Sequence, residues 1–262
     1  MTSQQIQLKI EYYLKNADRG LLDKVPLPGG RMRLLAANPE SYLCNYAVAE
    51  QWLDIDETIE AAEEEFAGRG VSPCRFYGAP DSLSLDMLRP AFARHGYAVK
   101  ELRGVRMLAL AGPVRQVRDD GYEYSWQSGP LDEEEQQFLL PTAGNWGLGH
   151  IRRQLRRGMG RLLFARREGK LAACLLVTQS GDTVMLSDFY SPLDWQNPPL
   201  AESMVSAAVD GAWKNQAALV FVQTVGQGPF ALYRRMGFEP VEMPPVWWAV
   251  KGTLPVWLAR EE

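Results

Sequence analysis

The stretch ALYRRMGFEP (231–240) reads as the last turns of a helix, a glycine stop and the start of a strand. Gly237 follows the last helical residues, and Phe238 opens a new apolar run. The phrase has a counterpart at AFARHGYAVK (91–100). With Gly237 aligned on Gly96, Tyr233 stands opposite Phe92. The late copy therefore carries a hydroxyl that the early copy lacks.

The parallel extends on both sides of the two glycines. After Gly96 comes YAVKELRGVRMLAL, and after Gly237 comes FEPVEMPPVWWAVK; each reads as a bend followed by a strand. Before each helix lies a short apolar strand, CRFY (74–77) and LVFVQT (219–224), and before that a longer helix, 56–70 and 200–216. Earlier still come YLCNYAV (42–48) and VMLSDFYS (184–191), with Trp52 and Trp195 at matching places. This repeated order of strand, helix, strand, helix, strand argues for an internal duplication.

The second half carries more elements upstream. YEYSWQ (122–127) reads as a strand, LDEEEQQFLL (131–140) as a helix with an acidic first turn, and HIRRQLRRG (150–158) as a second helix ended by glycine. Three strands then follow, joined by tight turns at Glu168-Gly169-Lys170 and Ser180-Gly181-Asp182. The first half has only GGRMRLLAA before its YLCNYAV strand. The expected organisation is a degenerate N-terminal domain over 1–112, a linker over 113–121 that is rich in charge and poor in apolar periodicity, and a complete domain over 122–262. The expected fold class is α/β (α+β mixed sheet), with two related units.

Composition bounds the function. The chain has 262 residues, 46% hydrophobic and 23% charged, as expected of a folded globular protein. A net charge of −4 gives no overall attraction to nucleic acid or anionic membrane, so neither is an expected partner. No stretch reaches the roughly 20 apolar residues of a membrane span. The N-terminal residues show no signal-peptide pattern, so the expected compartment is cytoplasmic. Cys44, Cys74 and Cys174 lie in or beside strand-like segments without zinc spacing and read as buried thiols. Only two histidines occur, His95 and His150, so no metal site is expected. Trp247, Trp248 and Trp257 read either as core or as an interface, and a homodimer is among the expected assemblies.

The order of elements in 122–251, together with LYRRMGFEP, resembles the GNAT superfamily of N-acetyltransferases, in a tandem form with a worn first copy. That resemblance implies acetyl-CoA as co-substrate, bound at a splayed fourth strand and the helix after it. The strand is VMLSDFYSP, placing Phe189, Tyr190 and Ser191 against the thioester and pantetheine arm. The family's pyrophosphate loop maps to Gln196-Asn197-Pro198-Pro199-Leu200-Ala201, of which Gln196 and Ala201 fit the pattern and Pro199 stands where it has glycine. Such loops aim backbone N–H groups at phosphate, and proline has none. In the first half the same place holds Asp54, Asp56 and Glu57, which would repel an anion. Phe230 falls on the helix of the second motif and is an expected cofactor contact.

The same resemblance implies transfer of an acetyl group to a primary amine, on a small molecule or a peptide, by direct attack on the thioester. Tyr233 is the expected general acid, since a phenol is protonated at neutral pH. Asp188, two residues before Tyr190 on one strand, is the candidate base, with Glu239 and Glu242 as further acids. Trp146 and His150 are the candidate acceptor-binding residues, at a loop and helix start in the region where this family lines its acceptor site. The arginines Arg152, Arg153, Arg156, Arg157 and Arg161 read as a solvated face or a site for an acidic group. The other reading of the whole chain is a non-catalytic binding protein of this fold, because the prolines impair the phosphate loop.

Overall fold

The computed structural model describes all residues except 17–21, 36–37, 42–43, 53, 79–81, 103–104, 119–120, 193–196 and 256–262, and the side chain of Trp146. The chain divides into two compact units. One comprises Met1–Tyr13 and Arg106–Met243; the other comprises Leu14–Val105 and Pro244–Glu262.

The second-named unit holds β1 (Asp23–Leu27), β2 (Gly30–Leu34), β3 (Tyr46–Ala49), α2 (Ile55–Gly68), β4 (Arg75–Tyr77), α3 (Leu85–Arg94) and β5 (Tyr97–Glu101). Its six-stranded sheet has the order β1-β2-β3-β4-β13-β5, in which β13 is the C-terminal strand Trp247–Lys251. Period-two burial aims Met32, Leu34, Ala47, Ala49, Phe76 and Ala249 at one face. There they meet Ile59, Ala62 and Phe66 of α2 and Leu88 and Phe92 of α3.

The first-named unit holds most of α1 (Ser3–Asn16), then β6 (Val105–Leu110), β7 (Glu123–Gln127), α4 (Glu133–Arg156), β8 (Gly160–Arg167), β9 (Lys170–Ser180), β10 (Thr183–Tyr190), α5 (Pro198–Lys214), β11 (Leu219–Val225), α6 (Gln227–Arg235) and β12 (Glu239–Val241). Its seven strands run β12-β6-β11-β10-β9-β8-β7. Alternation on β8 and β9 splits the core in two. Leu163, Ala165, Ala173 and Leu175 face α5 and α6, whereas Leu162, Phe164, Cys174 and Leu176 face α4. Tyr13 of α1 stacks edge-on against Phe221 at 4.9 Å and hydrogen-bonds Thr178.

Three expectations change. Each run after Gly96 and Gly237 holds two strands rather than a bend and one strand. The second strand of each run pairs outside its own half: β6 joins the sheet of the C-terminal elements, next to β12, and β13 lies between β4 and β5. The compact units are therefore not the contiguous stretches 1–112 and 122–262. A linear reading sees where strands lie but not which edge they complete.

Thirdly, Pro141–Gly149 is helical rather than a loop, and α4 joins the two expected helices across a single non-helical residue, Gly144 (φ 65°, ψ 175°). Three glycines suggest a loop, but only Gly144 uses the freedom. The helix starts on a capping box: the Asp132 side chain accepts from Glu135 N–H at 2.8 Å, and Glu135 returns the bond to Asp132 N–H at 2.9 Å.

Candidate functional site

The site begins where β10 and β11 separate. They pair in parallel from Thr183–Leu219 to Leu186–Val222 and no further. Beyond that point β10 continues to Tyr190 on its other neighbour, β9, while β11 runs on to Val225. Past Leu186 the pairing of β10 among the described residues is with β9 alone.

A bulge sits in this stretch of β10. The register on β9 passes from Ser187–Leu176 directly to Phe189–Leu175, so Asp188 is the extra residue, at φ 49°. The bulge resets the alternation. Leu186 and Phe189 pack on the α5 side, whereas Tyr190 packs on the α4 side. Asp188 reaches solvent yet is closely surrounded by protein, so desolvation raises its carboxyl above the usual range, with the charge of His150 acting the other way. Burial also pushes the Tyr190 phenol up.

Tyr233 comes from α6, which follows β11. It is buried in the α5-side core with Leu200, Ala201 and Phe238, and Phe189 and Phe230 pack against the same cluster. The end of α6 is a Schellman turn: Phe238 N–H donates to Tyr233 C=O at 3.0 Å and Gly237 N–H to Arg234 C=O at 3.1 Å, with Gly237 at φ 98°. Burial raises the Tyr233 phenol, and its hydroxyl has no hydrogen-bond partner among the described residues. Arg106 of β6 lies over the Phe230 ring at 4.6 Å.

The N-terminus of α5 carries both prolines, Pro198 and Pro199, in its first two positions, with Asn197 as N-cap. Ala201 N–H already donates to Asn197 C=O at 3.3 Å. Of the four leading N–H groups a helix offers, only those of Asn197 and Leu200 exist here. The Asn197 side chain donates to Tyr122 Oη at 3.3 Å. Ser191 Oγ donates to Ala172 C=O at 3.2 Å and ties the end of β10 to β9. Gln196 lies outside the described residues.

On the opposite face, His150 lies within α4 rather than at a helix start, one turn before Gln154, whose Nε2 is 2.7 Å from His150 Nε2. Trp146 lies on the same helix; its side chain is outside the described residues. Glu239 is held by Arg234. Gln154 and the bulge at Asp188 escape a sequence reading: the first looks like one more polar helix residue, and the second needs the β9 register.

The equivalent place in the other unit is built differently. Beyond the single β3–β4 pairing, Ala47–Phe76, the Ala49 carbonyl accepts Leu83 N–H at 2.8 Å. Asp54 caps α2 by accepting Glu57 N–H at 3.1 Å, so an anion site there is already filled by a carboxylate. Among the described residues no group of His, Cys, Asp or Glu is arranged to hold a metal, and no described helix is long and apolar enough to cross a membrane.

No protein-family model and no curated protein matches the sequence. The solved structures do match. A GCN5-related N-acetyltransferase from Kribbella flavida superposes with a TM-score of 0.70 at 15% identity, over 96% of this chain and 98% of that one. A tandem GNAT protein from the clavulanic acid biosynthesis pathway gives 0.59 at 15% identity, over 86% of this chain and 79% of that one. A GCN5-related N-acetyltransferase from Sphaerobacter thermophilus gives 0.58 at 12%, over 86% and 78%. The chain thus has the GNAT acetyltransferase fold, as mixed α/β architecture with two mixed sheets.

Proposed function

We propose that the protein is an acetyl-CoA-dependent N-acetyltransferase whose working site is the β10–β11 splay. The observation that carries this is the early end of the β10–β11 pairing together with Tyr233, whose ring is buried and whose hydroxyl has no partner among the described residues. The splay of β10 from β11 past Leu186 fits a pantetheine arm, whose amides add to a strand as a peptide does. Phe189 and Phe230 offer apolar contact to that arm. The phosphate end fits less well, since two of four N–H donors are absent, and Asn197 and Leu200 would hold it through the two that remain, with Ala201 packed behind them.

Acetyl-CoA supplies the activated acyl group. The protein's residues handle protons and position. Asp188 takes one proton from the acceptor ammonium, so that its nitrogen can form the new C–N bond. As the C–S bond breaks, Tyr233 gives the proton at Oη to the departing sulfur, the second proton leaves the new amide nitrogen for solvent, and Tyr233 regains its own from solvent. Its raised phenol keeps that proton in place before the reaction. His150 and Trp146 are proposed to line the acceptor side, a small-molecule or peptide amine is the proposed acceptor, and the other unit is proposed to be a copy without cofactor.

The test is turnover of acetyl-CoA against an amine panel, with thiol release as readout, for the wild type and Tyr233→Phe. The reading expects a substrate whose turnover falls at least tenfold in the variant. No thiol release with any amine, and no acetyl-CoA binding, would contradict it. The second reading, a non-catalytic binding protein of this fold, rests on Pro198 and Pro199, and would be favoured by ligand binding without turnover.

A further inference from the structure

Asp188 and His150 act on each other electrostatically, and Gln154 touches the His150 ring. Gln154 is 8% exposed and lies one helical turn from His150 on α4. Its Nε2 is 2.7 Å from His150 Nε2, and its Oε1 is buried with no partner among the described residues. A Cβ at Gly160 would stand 3.1 Å from that oxygen, so the amide is packed on its far side.

Two nitrogens can hydrogen-bond only if one carries the proton and the other a lone pair. The amide nitrogen always donates. His150 Nε2 is therefore the acceptor, and the ring proton sits on Nδ1. Turning the amide over would let Oε1 accept from an Nε2–H. It would also move the NH2 group, with two donors, into the buried position where Oε1 now stands alone. Leaving two buried donors unpaired costs more than leaving one acceptor unpaired.

We propose that Gln154 is a positioning residue that holds His150 in the Nδ1–H tautomer, so that His150 serves as a fixed N–H donor and Asp188 takes the proton from the acceptor. This deepens the acetyltransferase reading and rests on it for the identity of the reaction. The Nε2 lone pair is occupied and Nδ1 already holds a proton, so His150 has no free site for the acceptor's proton. The titratable groups that face Asp188 are His150 from α4, Tyr190 on its own strand and Cys174 from β9, with Glu135 of α4 acting on Cys174. Of these only His150 can become a cation, and the Gln154 contact favours its neutral Nδ1–H form, which leaves the proton to Asp188. The bulge at Asp188 supplies the second geometric element, an acid placed out of register past the end of the β10–β11 pairing.

The test needs no substrate. The chain has only two histidines, so NMR of the labelled full-length protein reads the His150 ring, with His95→Gln giving the assignment. At pH 8 the wild type is expected to show the Nδ1–H tautomer. Gln154→Leu is expected to move the ring towards Nε2–H, the form favoured by free imidazole. Gln154→Glu, whose carboxylate accepts, is expected to fix Nε2–H and raise the midpoint of His150 titration, while Asp188→Asn is expected to lower that midpoint. A wild-type ring in the Nε2–H form overturns the proposal without any variant. So does an Nδ1–H ring that persists in both Gln154 variants, or a His150 midpoint that Asp188→Asn leaves unmoved. Acetyl-CoA titration is separate from these readouts: its failure would count against the function, whereas the tautomer results count for or against Gln154.

Discussion

Tyr233 packs edge-on against Phe238 with ring centroids 5.2 Å apart, and Phe92 packs against Tyr97 at 5.4 Å at the corresponding helix end of the other unit. The two pairs carry their hydroxyls on opposite members. Tyr97 Oη donates to Cys74 Sγ at 3.1 Å and is spent on structure, whereas Tyr233 Oη has no partner among the described residues. Tyr233→Phe keeps the ring stack and is expected to leave the melting temperature within a few degrees of wild type. It is expected to lower kcat about 10²–10⁴-fold, the usual worth of a general acid. Equal loss of folding and activity would point to a packing role instead.

The same turn makes Gly237 and Phe238 structural. Gly237 sits at φ 98°, where a Cβ is strained, so Gly237→Ala is expected to cost about 1 kcal/mol or more. Phe238 is fully buried, and Phe238→Ala is expected to cost about 3–5 kcal/mol in urea unfolding. A neutral Phe238→Ala would contradict the placement of this residue in the core.

β13 completes a sheet far from it in sequence. Its Ala249 and Val250 are fully buried, and it pairs with both β4 and β5. A chain ending at residue 243 is expected to lose hydrogen-exchange protection in β4 and β5 while β9 and β10 stay protected. Equal loss in both sheets, or none, would show that the strand is placed otherwise.

Asp188 has a carboxyl raised by desolvation in the folded protein. The folded state therefore holds its proton more tightly than the unfolded chain does, and stability falls as pH rises through the window from the ordinary carboxylate value of about 4 up to the folded value. Asp188→Asn is expected to be more stable than wild type at pH 7, with the two converging below pH 4. A variant less stable at pH 7 would show that the carboxylate is favourably paired.

Pro198 and Pro199 remove two N–H donors from the start of α5. Pro199→Gly restores one and is expected to tighten acetyl-CoA binding several-fold by calorimetry, with desulfo-CoA tightening in parallel. Unchanged or weaker binding would mean that the phosphates do not rest on this helix.

Much of this architecture was legible because it is written in local signals. Gly96 and Gly237 mark helix ends through a positive φ, and the alternation on β8 and β9 marks a sheet covered on both sides. Trp247 and Trp248 were open between core and interface, and both are buried, whereas Trp257 lies outside the described residues. What stayed hidden depends on partners distant in sequence. The exchange of β6 and β13 leaves no mark in either strand's own residues. α1 and β1 leave weak marks of their own, since α1 buries only Ile10 and Tyr13 and β1 only Leu27. The bulge at Asp188 exists only relative to β9, and Gln154 gains its meaning from a histidine ring 2.7 Å away.

The central claim is that one acetyl-CoA binds per chain, at the β10–β11 splay. Calorimetric titration of the full-length protein with acetyl-CoA, repeated with Phe189→Ala and with Trp52→Ala as a control in the other unit, tests it most directly. The account expects about one site per chain, weakened by Phe189→Ala and unaffected by Trp52→Ala. No binding, or binding that Phe189→Ala leaves intact, would contradict it.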